Sequence, residues 1–199
     1  MRLPAEQRRT QLRERAIEIF AERGFHATSM EDIAEAAGVT KPVLYQHFPS
    51  KRALYRELLD DVDRQLTERL VVATADVASG RERVQEGFAA YFRYVAAHRA
   101  SFRLLFGASV RNDPEFAAVA EATIDRIAEL IADLIDIDAA TDHRRTLAHA
   151  MVGMAEATSR RVVNDEGEDD PDRLAGWLAE MTWFGLRGVR ADEMARDGN

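Results

Sequence analysis

The chain has 199 residues, 46% apolar and 31% charged, enough for one large or two small globular domains with a substantial core. It has no cysteine, which excludes disulfides and thiolate metal sites. The net charge of -8 is unevenly spread: residues 1–56 hold ten basic and seven acidic side chains, net +3, leaving -11 for the rest. A basic front on an acidic body orients a molecule on a polyanion and discourages non-specific adhesion. No run of about 18 apolar residues suggests a membrane span, and the N-terminus lacks the apolar core of a signal peptide. The expectation is a cytoplasmic protein with no membrane partner.

Taken in order, the chain reads as helix throughout, an all-α fold. A first helix is predicted from about Ala5 to Arg23, with Leu12, Ala16, Ile19 and Phe20 as its apolar stripe and Gly24 as its stop. Thr28-x-x-Glu31 reads as a capping box opening a second helix, on which Ile33, Ala34 and Ala37 form a narrow stripe. Gly38 suits a left-handed helix end, Val39 plugs the corner, and Thr40 is placed to cap a third helix with Pro42 in its first turn. Ser50 then caps a longer helix carrying Leu54, Leu58, Val62 and Leu66, which fades near Ser79-Gly80. A helix from about Arg81 to His98 follows, then a short apolar piece, Phe102 to Phe106. Asp113 as cap and Pro114 at the first helical position open a long helix ending near Asp136. Two more run from about Asp142 to Val163 and Pro171 to Val189, separated by the acidic segment 164–170 and followed by a frayed tail. About nine helices result.

Helices two and three, joined by a tight turn, have the form of a helix-turn-helix. Leu44 and Phe48 face inward, leaving Lys41, Val43, Tyr45, Gln46 and His47 on or beside the outer face. A short helix presenting donors, a ring and a positive charge is suited to the major groove. Lys41 and Gln46 are the residues most able to read base edges, at guanine and adenine respectively. Tyr45, His47 and Lys51 are expected at phosphates or sugars, and Thr40, Pro42 and Val43 as close apolar contacts. Thr28 joins this expected DNA-binding set. Arg8, Arg9 and Arg13 read equally as a solvated basic face or as an arm for the minor groove.

Residues Ile33 to Lys51 also match every defined position of I-A-x-x-A-G-V-[ST]-x-x-x-[LIF]-Y-x-[HY]-F-x-[SN]-K. The chain thereby resembles the TetR family of bacterial transcriptional regulators. That resemblance implies an N-terminal three-helix DNA-binding domain, residues 1–50, and a helical effector-binding and dimerisation domain, residues 51–199. It also implies a homodimer joined by a four-helix bundle of the last two helices. Leu147, Gly153, Trp177, Met181 and Phe184 are the candidate interface, bulky residues interleaved with small ones. The wording K-P-x-L-Y-Q-H-F-P-S-K is similar to a subgroup that includes acyl-coenzyme A-responsive regulators of fatty-acid synthesis.

An effector pocket is expected among Phe88, Tyr91, Phe92, Val95, Phe102, Phe106, Phe116, Met151 and Met154, an apolar set suited to a hydrophobic or amphipathic ligand. Taken one at a time, aromatics at helical spacing are more often plain core than pocket wall. The expected function is a ligand-responsive regulator, a repressor on a palindromic double-stranded operator, released by its effector. The alternatives are a ligand-dependent activator or co-repressed regulator of lipid metabolism, and a lipid-binding bundle without DNA function. The five histidines offer no H-E-x-x-H or i,i+4 pair, and no phosphate loop or nucleophile elbow occurs. No catalytic residue, metal or cofactor is therefore expected, and Glu156 and Arg160 read as a structural i,i+4 bridge.

Overall fold

The computed structural model describes residues 4–137, 139–164 and 170–188. Among them lie ten helices and no strand: α1 (Ala5–Ala27), α2 (Met30–Ala36), α3 (Lys41–His47), α4 (Lys51–Ala75), α5 (Gly80–Ala97), α6 (Arg99–Phe106), α7 (Ala108–Arg111), α8 (Pro114–Leu134), α9 (Thr141–Asn164) and α10 (Pro171–Gly188). One of the ten, α7, is a single turn. Most of the acidic segment 164–170, the end of the last helix at Val189 and the tail beyond it lie outside the described residues.

Packing divides the chain into two compact units. The first holds residues up to Gln65 together with His98–Glu121, and the second Leu66–Ala97 with the residues from Ala122 on. This places α6, α7 and the first turns of α8 with the N-terminal helices, a grouping that sequence reading did not predict.

In the first unit, Leu12, Ala16, Ile19 and Phe20 of α1 are buried, as their spacing predicts. Gly24 (φ 79°) breaks α1, and Phe25 beyond the break turns inward. Leu54, Leu58 and Leu59 of α4 are fully buried, each stabilising by roughly 2 kcal/mol on transfer grounds. The centre is an aromatic cluster around Tyr55, whose ring lies 4.9 Å from Phe20, 5.1 Å from Phe25 and 4.5 Å from Phe116. The Tyr55 hydroxyl donates to the Leu104 carbonyl at 3.3 Å, and burial pushes its phenol up. The apolar piece at Phe102–Phe106 is a full helix, α6, because Leu104, Leu105 and Phe106 as well as Phe102 find buried partners.

In the second unit, α5 lies along α10 and α9. Phe88, Tyr91, Phe92 and Val95 form the buried face of α5. Leu174, Ala175, Ala179, Thr182 and Leu186 form that of α10. Ser79 opens α5, its hydroxyl accepting from the Glu82 N–H at 3.1 Å. No described helix is long and apolar enough to cross a membrane.

Candidate nucleic-acid interface

The reading head is built by its backbone turns. The capping box at the start of α2 is Ser29 with Asp32, one residue later than Thr28–Glu31. Ser29 Oγ accepts from the Asp32 N–H at 3.1 Å, and an Asp32 oxygen accepts from the Ser29 N–H at 2.7 Å. The Ser29 hydroxyl, donating to the Asp32 carboxylate at 2.6 Å, and then the Ser29 N–H hold the Asp32 carboxyl below its ordinary range. Aspartate reaches the cap here where the expected pattern required glutamate. Thr28 is instead buried, its hydroxyl donating to the Gly24 carbonyl at 2.8 Å across the break in α1.

The corner between α2 and α3 is a Schellman turn. Val39 N–H donates to the Ala34 carbonyl at 2.9 Å and Gly38 N–H to that of Glu35 at 3.0 Å. Gly38 takes φ 64°, where a side chain would be strained. Thr40 occupies the cap position of α3, but its hydroxyl makes no cap hydrogen bond. Leu44 and Phe48 are buried, and they anchor α3 as their spacing predicts.

The outward face of α3 follows from that anchoring. Thr40, Lys41, Pro42, Tyr45 and Gln46 are exposed, while Val43 and His47 are half-buried. Tyr45 keeps 44% of its surface in solvent, unusual for a large ring. Lys41 lies 3.6 Å from Glu31, an exposed pair that contributes little and leaves the ammonium free to exchange partners.

Three basic residues near the reading head have partners within the chain. The Lys51 ammonium donates to the carbonyls of Phe25 at 2.7 Å and Thr28 at 2.6 Å and sits 4.4 Å over the Phe25 ring. It thus closes the end of α1 onto α4, and desolvation lowers its pKa. Arg9 donates to the His47 carbonyl at 2.7 Å, pairs with Glu57 at 2.6 Å and covers the Phe48 ring. Arg13 pairs with Glu57 and Asp61. Arg9 and Arg13, both part-exposed, tie α1 to α3 and α4.

Sequence reading missed a clamp on the other side of α4. Arg52 reaches Asp113 at 2.8 Å and Glu115 at 2.6 Å, and Arg56 reaches Glu115 at 3.3 Å. Asp113 caps α8 by accepting from the Glu115 N–H at 3.1 Å, as its place before Pro114 predicts. No local signal shows that residues sixty apart meet.

The expected effector set separates. Phe102, Phe106 and Phe116 belong to the first unit and the other six to the second. Phe116 is fully buried against Phe25 and Tyr55 in the core of the first unit. Phe88, Tyr91, Phe92, Val95 and Met151 are buried in the second unit, with Met154 half-buried. A cleft of about 180 Å³ in that unit is lined by Glu129, Ala132, Asp133, Thr141, Arg144 and Arg145, none of them from the aromatic set.

The expected interface residues lie on open faces. Trp177, Met181 and Phe184, four and three apart on α10, are 57%, 55% and 61% exposed. Gly153 is exposed and Leu147 half-buried on α9. A Cβ added at Gly153 or Gly185 would meet nothing within 4 Å. Glu156 and Arg160 are ion-paired as their spacing predicts, and no group of metal-ligating side chains occurs among the described residues.

A profile of bacterial regulatory proteins of the tetR family matches residues 12–58, and one of tetracyclin repressor-like C-terminal domains matches residues 80–185. The chain is similar to the HTH-type transcriptional activator FasR of Mycolicibacterium smegmatis, 33% identical over 94% of this chain and 87% of that one. It is 40% identical to the HTH-type transcriptional repressor KstR2 of Mycobacterium tuberculosis over 47% of this chain and 46% of the other. A TetR-like transcriptional regulator from Rhodococcus sp. RHA1 superposes with TM-score 0.80 at 31% identity, covering 94% of this chain and all of its own.

Proposed function

The chain belongs to the tetR family of bacterial regulatory proteins and is a DNA-binding transcriptional regulator, and from that premise we propose that it acts as a homodimer on a palindromic operator. The outward face of α3 carries the reading. Its exposed Thr40, Lys41, Pro42, Tyr45 and Gln46, with Val43 and His47 at the edge, form the operator contacts. Thr28 and Lys51 position that face from within. One such helix reads few base pairs, so two heads at fixed separation supply specificity.

Residues 51–199 form the control part, and the apolar stripe Trp177, Met181 and Phe184 with the bare glycines of α9 and α10 is the surface a second copy covers. A hydrophobic or amphipathic effector enters among Phe88, Tyr91, Phe92, Val95, Met151 and Met154. Its differential affinity for two dimer states sets the spacing of the heads. The relation to KstR2, whose solved structure is described as that of a ketosteroid regulator and is 25% identical, supports an apolar ligand. Acyl-coenzyme A remains within that class. The regulator works in the cytoplasm, where its operator is.

In the first reading the protein is a repressor released by its effector. A second reading, activation, is favoured by the near full-length similarity to the activator FasR. Isolating genomic fragments bound at physiological salt, with and without acyl thioesters and apolar ketones, tests both. Fragments released by one ligand support the repressor. Fragments retained only with ligand support the activator or co-repressed form, and binding indifferent to every ligand would sink the hydrophobic-effector reading.

A further inference from the structure

In the second unit, the end of α8 and the start of α9 face each other along a row of charged side chains. Every fourth residue of this stretch of α8 is acidic, Asp125, Glu129 and Asp133, and α9 answers with basic residues running the other way. His149 meets Asp125 at 3.1 Å, and Arg145 meets Glu129 at 3.7 Å. The next rung is open. Asp133 and Arg144 line one cleft together with Glu129, Ala132, Thr141 and Arg145, yet neither has a hydrogen bond or ion pair among the described residues. Arg144 is half-buried, and its Nε is shut off from solvent without a partner, so its charge is held at the cleft with no counter-ion.

We propose that this cleft binds a small zwitterion of the α-amino-acid type, its carboxylate on Arg144 and its ammonium on Asp133, which completes the open rung. The site is independent of the apolar effector, since none of its lining residues belongs to the aromatic set. Charge selects the class of ligand. Arg144 and Arg145 on one wall balance Glu129 and Asp133 on the other, so a lone anion would meet two carboxylates and a lone cation two guanidiniums. A molecule that carries both charges a few bonds apart satisfies both walls, and charge-assisted hydrogen bonds to partly desolvated groups are the strong ones. Size selects within the class. The cleft of about 180 Å³ is smaller than the roughly 300–1,000 Å³ typical of sites for drug-sized ligands, so it takes a short side chain. Ala132, buried in the wall, offers that side chain a small apolar contact. The spacing of Glu129, Ala132 and Asp133, repeated by Thr141, Arg144 and Arg145, is legible in the sequence; that the two trios share a cleft is not.

The test follows three matched probes by saturation-transfer NMR on the full-length protein: L-alanine, isobutyrate (a methyl in place of the ammonium) and isopropylamine (a methyl in place of the carboxylate). The wild type should bind alanine and hold each of the other two about tenfold more weakly or worse, as loss of a charge-assisted bond requires. Arg144→Gln and Asp133→Asn should each weaken alanine about tenfold at unchanged helicity, because neither side chain has a partner to lose. Isobutyrate or isopropylamine bound as well as alanine would overturn the zwitterion site. Alanine binding that survives in both variants, or that is missing in the wild type, would overturn it too. A urea midpoint lowered as much by either single variant as by the two together would mean that Asp133 and Arg144 bond each other, and would also overturn it.

Discussion

The Arg52 guanidinium meets the Asp113 carboxylate at 2.8 Å, joining the first turn of α4 to the cap of α8. The same guanidinium lies 4.9 Å from the centre of the Phe116 ring and bonds Glu115. One side chain thus fastens a helix start, a cap and an aromatic core immediately beside the reading head. Arg52 also holds the Asp113 carboxyl below its ordinary range.

That depression sets a pH dependence. A carboxylate whose folded pKa lies below its unfolded value stabilises above the unfolded value, about 3.9 for aspartate, and loses that contribution as pH falls through the folded pKa. Asp113→Asn should therefore be less stable than the wild type at pH 7, and the gap should close as pH is lowered toward 3. Urea midpoints across that range check it; a gap independent of pH would show that the charge of Asp113 is immaterial.

Phe116→Ala should lower stability by about 3–5 kcal/mol, the usual cost of emptying a filled aromatic site. Whatever effector response survives should be that of the wild type once folding is corrected for. Unchanged stability with a selective loss of ligand response would return Phe116 to the pocket.

Lys51 and Gln46 should separate. Gln46→Ala should weaken operator binding about tenfold at unchanged stability, as loss of a base contact does. Lys51→Ala should lower stability and operator affinity together, because its ammonium closes two carbonyls of the α1 end. Chemical denaturation alongside fluorescence anisotropy distinguishes them, and a Lys51→Ala protein of wild-type stability would make the lysine a phosphate contact after all.

Replacing Trp177 or Phe184 by glutamate should yield a folded monomer. Both side chains are more than half exposed in the single chain, so the change should not disturb its own core. Light scattering and circular dichroism report mass and helicity. A dimer that persists in Trp177→Glu, Phe184→Glu and the double variant would move the interface elsewhere.

Periodicity made the helices legible, and the inward pair Leu44 and Phe48 was enough to orient the α3 surface. Boundaries set by side-chain chemistry were harder: Ser29 and Asp32 cap α2 where Thr28 and Glu31 also satisfied the pattern. Long-range partners were invisible, since Arg52 with Asp113 and Tyr55 with Phe116 meet through tertiary packing alone. For the same reason the sequence does not show that the expected aromatic set is shared between the two units. Phe116 is no different in type from Phe88; only the fold tells which cluster each joins.

Protection of the operator by wild type and by a Tyr45→Ala, Gln46→Ala variant tests the central claim most directly. The account predicts a palindromic footprint for the wild type, lost at the same protein concentration by the variant, with stability and dimer mass unaltered. An identical footprint from both proteins would contradict it, because the outward face of α3 would then not be what reads DNA.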